Sequence, residues 1–299
     1  QCVAGTTESL GSHLWHCHWI LLYNLCHLCS TVGRCIMPSQ QSVLITGASG
    51  NIGKAVARHF IAHSADTVLL TCRYAEHLTE TISHLARWGC GMVAEQVAGR
   101  TANLSFRDDG DDRAIEGLRM WLALNDYRPT TLVCAHGMAA RDDSAAVSAL
   151  DFHDVLYLNL TACLQLAQLC YPFMASAHHG RIVFVSSIHG QQTYPQRAAY
   201  AASKGGLEAL ARVLALEWAR DGITVNCVAP GQLDTPMHGS PMSAGALEQV
   251  RRHTPTGALT TAAQVASLVG WLCSEDAANV TGQTIRMDGG LGVSAWVKG

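Results

Sequence analysis

The chain has 299 residues, 48% of them hydrophobic and 14% charged, with a formal net charge of −3. That composition is globular, without a low-complexity tract or internal repeat, and the length admits one large α/β domain or two small ones. The slightly acidic balance and the lack of any Lys/Arg cluster argue against a nucleic-acid partner and favour a small neutral one.

The first 36 residues are a different text, rich in His, Cys and Trp and almost uncharged. Three readings compete for them. Cys26 and Cys29 form a CxxC with His13, His16 and His18 close by, but no second pair completes a regular four-ligand spacing, so no metal is expected. The apolar run from Trp19 to Leu25 is too short for a membrane span and lacks a basic leader. The favoured reading is a disordered or artefactual extension, with the functional domain over residues 37–299 and Met37 as a natural start. Five of the twelve cysteines lie in this extension; the other seven are scattered, mostly in apolar runs. They read as small buried hydrophobes in a reducing compartment, hence a cytoplasmic protein.

From Ser42 onward short β-branched runs alternate with helical patterns: "SVLIT", "TVLLT", "MVAEQV", "TLVCA", "RIVFVSS", "ITVNCVA" and "QTIRMD". Continuous apolar strands separated by helices predict a parallel sheet covered on both faces, the doubly wound α/β (Rossmann) architecture in a single domain. The first strand runs into "TGASGNIG", where Gly47, Gly50 and Gly53 bracket a tight turn opening a helix, a place for a phosphate. The second strand ends "LLTCRY". An acidic residue there would bind the ribose hydroxyls of NAD; this chain has Cys72 followed by Arg73, and a guanidinium suits the 2′-phosphate of NADP. The competing reading is a solvated arginine at a strand end.

Further along, "AAYAASKGGLEAL" puts Tyr200 and Lys204 on one helix face with only Ala and Ser between them. A carbonyl that accepts hydride needs a hydrogen-bond donor at its oxygen and then a proton. A phenol supplies both, and an ammonium one turn away favours the phenolate and so eases proton release. The small residues at 201–203 and Gly205–Gly206 predict open space where cofactor and substrate approach the helix.

These motifs, in this order, resemble those of the short-chain dehydrogenase/reductase family over about Ser42 to Gly290. "TGASGNIG" is similar to the family's TGxxxGxG turn, "RIVFVSS" to its serine strand, "YAASK" to its YxxxK helix, "VNCVAPGQLDTPM" to its nicotinamide loop and "VTGQTIRMDGG" to its final strand. The resemblance implies Tyr200 as proton donor, Lys204 as its partner, Ser187 as the substrate-oxygen ligand and Asn159 in a helix supporting a bound water. Ser186 would face the other way by strand alternation. It also implies NADP(H) contacts from Gly47, Ser49, Gly50, Asn51, Ile52, Gly53, Arg73, Asn103, Gly137, Tyr200, Lys204, Pro230, Gly231 and Thr235.

Several positions depart from the family pattern. "CAHG" (Cys134 to Gly137) stands where the family has NNAG, with His136 in the place of alanine. Asn51 replaces the middle glycine of the turn, a substitution that Asn's tolerance of left-handed φ would accommodate. The family's acidic residue after the third strand is most nearly Asn103.

The resemblance implies an NADP(H)-dependent oxidoreductase acting on a ketone/secondary-alcohol pair, with a substrate loop at about 236–254 and a homotetramer or homodimer built on the helices holding Asn159 and Tyr200. The alternatives are a 3-oxoacyl-carrier-protein reductase, the members it most resembles, and a catalytically silent nucleotide sensor. Carrier-using relatives present two arginines near the pocket; the matching positions here are His178 and Asp221, which predicts weak steering of an acidic carrier and a preference for free or small-thioester ketones.

Overall fold

Strands with both faces covered should pair in parallel, and they do. The computed structural model describes residues 42–293 apart from 64, 66, 89–95, 106–112, 141, 142 and 236–242. The extension over residues 1–36 with its CxxC, the start at Met37 and the first part of the substrate loop lie outside the described residues.

Seven strands, β1 (Ser42–Thr46), β2 (Thr67–Cys72), β3 (Val97–Thr101), β4 (Thr131–Cys134), β5 (Gly180–Val185), β6 (Ile223–Pro230) and β7 (Thr284–Met287), form one sheet in the order β3-β2-β1-β4-β5-β6-β7. Every neighbouring pair is parallel. The helices are α1 (Asn51–His63), α2 (Ala75–Trp88), α3 (Arg113–Leu124), α4 (Ala149–Leu156), α5 (Ala162–Ala177), α6 (Ala198–Trp218), α7 (Ala244–His253) and α8 (Ala262–Leu272).

Alternate residues of each central strand feed two cores. Leu44, Leu132, Ile182 and Phe184 pack with Leu118 of α3, Leu166 of α5 and Leu207 of α6 on one face. Val43, Ile45, Val133 and Val183 pack with Val56 of α1, Leu85 of α2 and Val269 of α8 on the other. Each such buried side chain contributes about 1.5–3 kcal/mol. Demand from both faces explains why these strands read as largely apolar runs, Arg181 and Asn226 being buried polar exceptions.

One strand departs from expectation. "MVAEQV" places the third strand at residues 92–97, whereas β3 begins at Val97 and runs through "VAGRT". As the sheet edge, β3 is only partly buried, and Gly99 lies under Leu78 and Ile82 of α2, so β3 lacks the apolar signature of the inner strands.

The strand order reverses at β1, which pairs with β2 on one edge and with β4 on the other. A crevice for a ligand opens beyond the carboxyl ends of strands at such a switch point. The turns after β1, β4, β5 and β6 all leave the sheet at that end.

Candidate active site

Gly47 leaves β1 with φ of +68°. A Cβ there would lie 2.6 Å from the His136 backbone, so only glycine lets the two loops pass. The turn is tied down on both sides: the Ala48 amide donates to the Thr71 carbonyl at 3.1 Å and the Gly50 amide to Gly47 at 3.0 Å. At Gly53 a Cβ would fall onto the Gly47 carbonyl. No acidic residue occupies the first turn of α1, so its N-terminal amides and positive end suit an anion. Ile52 is partly buried and packs against the core on the α1 face of the sheet. Asn51 does not take the left-handed conformation expected of it. Non-glycine residues with positive φ among the described residues are Asp126, His178 and Gln196, so Asn51 simply begins α1 and Gly47 takes the left-handed conformation.

At the ends of β2 and β3, Arg73, Arg100 and Arg113 line a cleft of about 260 Å³ together with Asn103. The two positions expected at the adenosine end, Arg73 and Asn103, are thus brought together. Burial pushes the Cys72 thiol up, opposed by hydrogen bonds from Ser49 and by Lys54. That keeps a neutral group where NAD-binding chains would carry an acid.

α6 carries Tyr200 and Lys204, 5% and 2% exposed. Lys204 Nζ donates to the Val185 carbonyl at 2.9 Å and lies 5.8 Å from the Tyr200 ring centroid. Ser187 caps a short 3₁₀ turn, Ile188–Gly190, with Oγ accepting from the His189 amide at 3.3 Å. Ser186 turns away and donates to Glu208 Oε1 at 2.8 Å, as alternation predicts.

Asn159 is fully buried in a π-helical turn, Tyr157–Thr161, that joins α4 to α5. Its Oδ1 accepts from the Met138 amide at 2.9 Å, and its Nδ2 donates to the Met138 carbonyl and to Ser203 Oγ, both at 3.0 Å. Ser203 in turn donates to the Tyr200 carbonyl at 2.7 Å. Asn159 therefore clamps the loop after β4 to α6. A Cβ on Gly137 would come 3.1 Å from Asn159 Oδ1 and 3.5 Å from Lys204 Nζ, so this glycine sits where the three elements meet.

Three of the small residues of α6 expected to leave room for ligands instead contact neighbouring elements. Ser203 serves Asn159, Gly206 packs on Leu160 and Gly205 lies against the Gly190 carbonyl. Their smallness draws α6 onto its neighbours, and that close packing sets Tyr200 and Lys204 beside the serine turn.

Beyond β6, the Gly231 amide donates to the Met287 carbonyl at 2.9 Å, which holds Pro230 and Gly231 at the crevice end. Thr235 Oγ1 is buried without a hydrogen-bond partner among the described residues. The rest of the substrate segment forms α7, capped by Ser243 and buried nowhere along its length.

Some features were not foreseen. His189 packs edge-on against Tyr200 at 5.7 Å, and the Arg197 guanidinium lies 6.0 Å from the same ring. His178 and Asp221 precede β5 and β6, at the opposite end of the parallel strands from Ser187. Within one chain they do not line the crevice, so the steering argument against carrier-bound substrates falls. Asp221 instead accepts from the Tyr171 hydroxyl at 2.9 Å.

The buried cysteines Cys72, Cys134, Cys163, Cys170, Cys227 and Cys273 are all free. Burial pushes the thiols of Cys170, Cys227 and Cys273 up to about 12. Cys163 differs: a hydrogen bond from Cys134 and the nearby His136 hold its thiol well below the usual range despite burial. Burial first, and then Cys163, push Cys134 the other way.

A parallel sheet with a glycine cradle after β1 and a Ser, Tyr, Lys and Asn group at its carboxyl edge defines a dinucleotide-fold oxidoreductase. The family model described as enoyl-(acyl carrier protein) reductase matches residues 47–292. A tropinone reductase homolog from Arabidopsis thaliana is 33% identical over 257 residues, covering 86% of this chain and 92% of that protein. Nodulation protein G from Rhizobium sp. (strain N33) is 35% identical over 252 residues, covering 84% and 96%. Among solved structures, a variant actinorhodin polyketide ketoreductase with NADPH superposes with a TM-score of 0.76 at 28% identity, covering 86% of this chain and 99% of that one. The chain belongs to the short-chain dehydrogenase/reductase family of oxidoreductases. Among the described residues no helix is long and apolar enough to cross a membrane.

Proposed function

We propose that the protein is an NADP(H)-dependent oxidoreductase that interconverts a ketone and a secondary alcohol. The observation that carries this reading is the convergence of Ser187, Tyr200, Lys204 and Asn159, from three elements, at the switch-point crevice. A dinucleotide fits the residues present: the glycine cradle has room only without side chains, Thr235 has a buried hydroxyl in need of a partner, and the arginine cleft suits a second phosphate. Gly47, Ser49, Gly50, Asn51 and Gly53 would hold the pyrophosphate, with Ile52 supporting the turn from behind. Arg73 and Asn103 would hold the adenosine end, and Gly137, Pro230, Gly231 and Thr235 the nicotinamide half.

When bound, the cofactor supplies or accepts the hydride. The chain's own residues manage the oxygen. Ser187 donates a hydrogen bond to the carbonyl oxygen as it gains charge, and Tyr200 gives it the phenolic proton. Lys204, anchored on Val185, holds positive charge beside the phenol. Asn159 keeps Met138 and α6 in register and supports the water that returns the proton to Tyr200. The test is a panel of ketones, secondary alcohols and short acyl thioesters assayed with NADPH and NADP. Turnover of at least one pair is expected; tight NADPH binding with no turnover in either direction would favour a sensor.

NADPH preference is expected to reside in the arginine cleft. Arg73→Ala should weaken NADPH by roughly tenfold to a hundredfold, the range for a lost charge-assisted hydrogen bond, with NADH affinity nearly unchanged. Titration of both cofactors by fluorescence checks this, and a wild-type protein that turns over faster with NADH at equal low concentration would overturn it.

We also propose self-association through α6. Val213 and Leu216 are 49% and 82% exposed and lie three residues apart on one face. Such apolar exposure on a long central helix fits an isologous contact with a second copy. Leu216→Asp is expected to shift the dimer or tetramer to monomer in light scattering; an unchanged mass would remove α6 from the interface. The proposed setting is the cytoplasm.

A further inference from the structure

The "CAHG" segment brings two sulfurs and an imidazole together behind the crevice. Cys134 ends β4, His136 follows in the loop, and Cys163 lies in the first turn of α5. Their ligand atoms are all within 4.8 Å of one another. Cys163 Sγ and His136 Nε2 are 3.6 Å apart. A tetrahedral zinc ion, with Zn–S near 2.3 Å and Zn–N near 2.0 Å, spaces neighbouring sulfur and nitrogen ligands by about 3.5 Å. One edge of the coordination polyhedron is therefore already at its working length.

We propose that Cys134, His136 and Cys163 form a binding site for a thiophilic divalent cation, zinc by donor type and size. Two thiolates and an imidazole are a soft donor set that discriminates against magnesium and calcium. Three protein ligands leave one coordination position for water.

The surroundings suit the imidazole to this role. Thr46 Oγ1 lies 2.6 Å from Nδ1 and 3.5 Å from the Val133 carbonyl. The hydroxyl can accept from Nδ1–H while donating its own hydrogen to Val133, an arrangement that keeps the proton on Nδ1 and turns the Nε2 lone pair to a metal. Without metal the proton sits on Nε2 and points at the Leu158 carbonyl, 3.1 Å away. Binding exchanges one tautomer for the other and uses both sulfurs as thiolates, any thiol proton still present leaving to solvent. Hydrogen bonding accounts for the histidine in this place, and the two cysteines also pack in the apolar core.

The location gives the ion a consequence. The backbone of Ala135 and His136 packs directly on Gly47, and two residues on Met138 clamps Asn159. Coordination stiffens the strand of loop that links the phosphate turn to Asn159. The site itself stands on its ligand geometry and does not depend on the proposed activity.

The experiment uses the full chain, stripped with a chelator under a non-chelating reductant and titrated with Zn²⁺ and Co²⁺. Wild type is expected to take up an equivalent that gives thiolate-to-cobalt charge-transfer absorption and survives the Cys26→Ser/Cys29→Ser double variant, which controls for the CxxC of the first 36 residues. Cys163→Ala and His136→Ala should each weaken that equivalent by more than the roughly 10- to 100-fold that loss of an outer partner costs, and Thr46→Val by an amount within that range. If Cys163→Ala does not fold, His136→Ala, which installs the residue usual in the resembled family, decides alone. No uptake, uptake lost only with Cys26 and Cys29, a band unchanged in the His136 variant, or a Cys134–Cys163 disulfide isolated in place of a metal would each overturn the proposal.

Discussion

Tyr200→Phe is expected to lower kcat by about 10²- to 10⁴-fold, the range for loss of a positioned general acid, while NADPH affinity stays close to wild type. The ring is nearly buried and packs against His189 at 5.7 Å and beside Lys204 at 5.8 Å. Phenylalanine keeps that ring and its contacts and removes the hydroxyl alone. The Ser203 hydrogen bond goes to the Tyr200 backbone carbonyl, so the link to Asn159 survives. A change at Lys204 would be harder to interpret, because its Nζ also ties α6 to Val185. Single-turnover kinetics and a fluorescence titration of NADPH on the same preparation separate chemistry from binding. Turnover within a few fold of wild type would remove Tyr200 from the role of acid.

The parts of this molecule that were legible in the sequence are those where local pattern and tertiary demand coincide. β1, β2, β4, β5 and β6 lie inside a sheet covered on both faces, so their residues are mostly apolar, with threonines, Arg181 and Asn226 among the buried polar exceptions, and the pattern shows it. β3 lies at the edge and carries Arg100 and Thr101, so the apolar run before it drew the prediction too early. The glycine turn was legible because sterics exclude a side chain at Gly47 and Gly53 whatever the context. Reasons were less legible than positions: Asn51 needs no left-handed φ, and the glycines of α6 serve helix packing. Contacts made between distant elements left almost no trace. His136 reads as an isolated departure until Thr46, Leu158 and Cys163 are folded around it, and ligands at 134, 136 and 163 match no regular metal spacing. The pairing of Ser186 with Glu208, from β5's end to α6, is equally silent, although alternation had correctly turned Ser186 away from Ser187.

The two neighbouring serines should therefore fail in different ways. Ser187→Ala is expected to lower kcat/KM by about 10²- to 10³-fold, the usual loss for one donor at a developing oxyanion, with little change in stability. In the folded chain Ser187 Oγ accepts one long contact of 3.3 Å from the His189 amide, so the structure gives up little when it goes. Ser186→Ala is expected to do the reverse. Its hydroxyl donates to Glu208 Oε1 at 2.8 Å in a buried place, and the other carboxyl oxygen is held by Gln191 at 3.0 Å. Without Ser186 a buried oxygen loses its donor, which costs about 1–3 kcal/mol. Gly190 packs close against the same carboxyl group, a Cβ there coming 2.5 Å from Oε1, so there is little room for the side chain to turn toward another partner. Denaturant midpoints and steady-state kinetics on both variants read the two effects independently. A catalytic defect that follows Ser186, with Ser187→Ala turning over normally, would reverse the assignment of the two faces and would mean that the oxygen of the substrate sits on the Glu208 side of the strand.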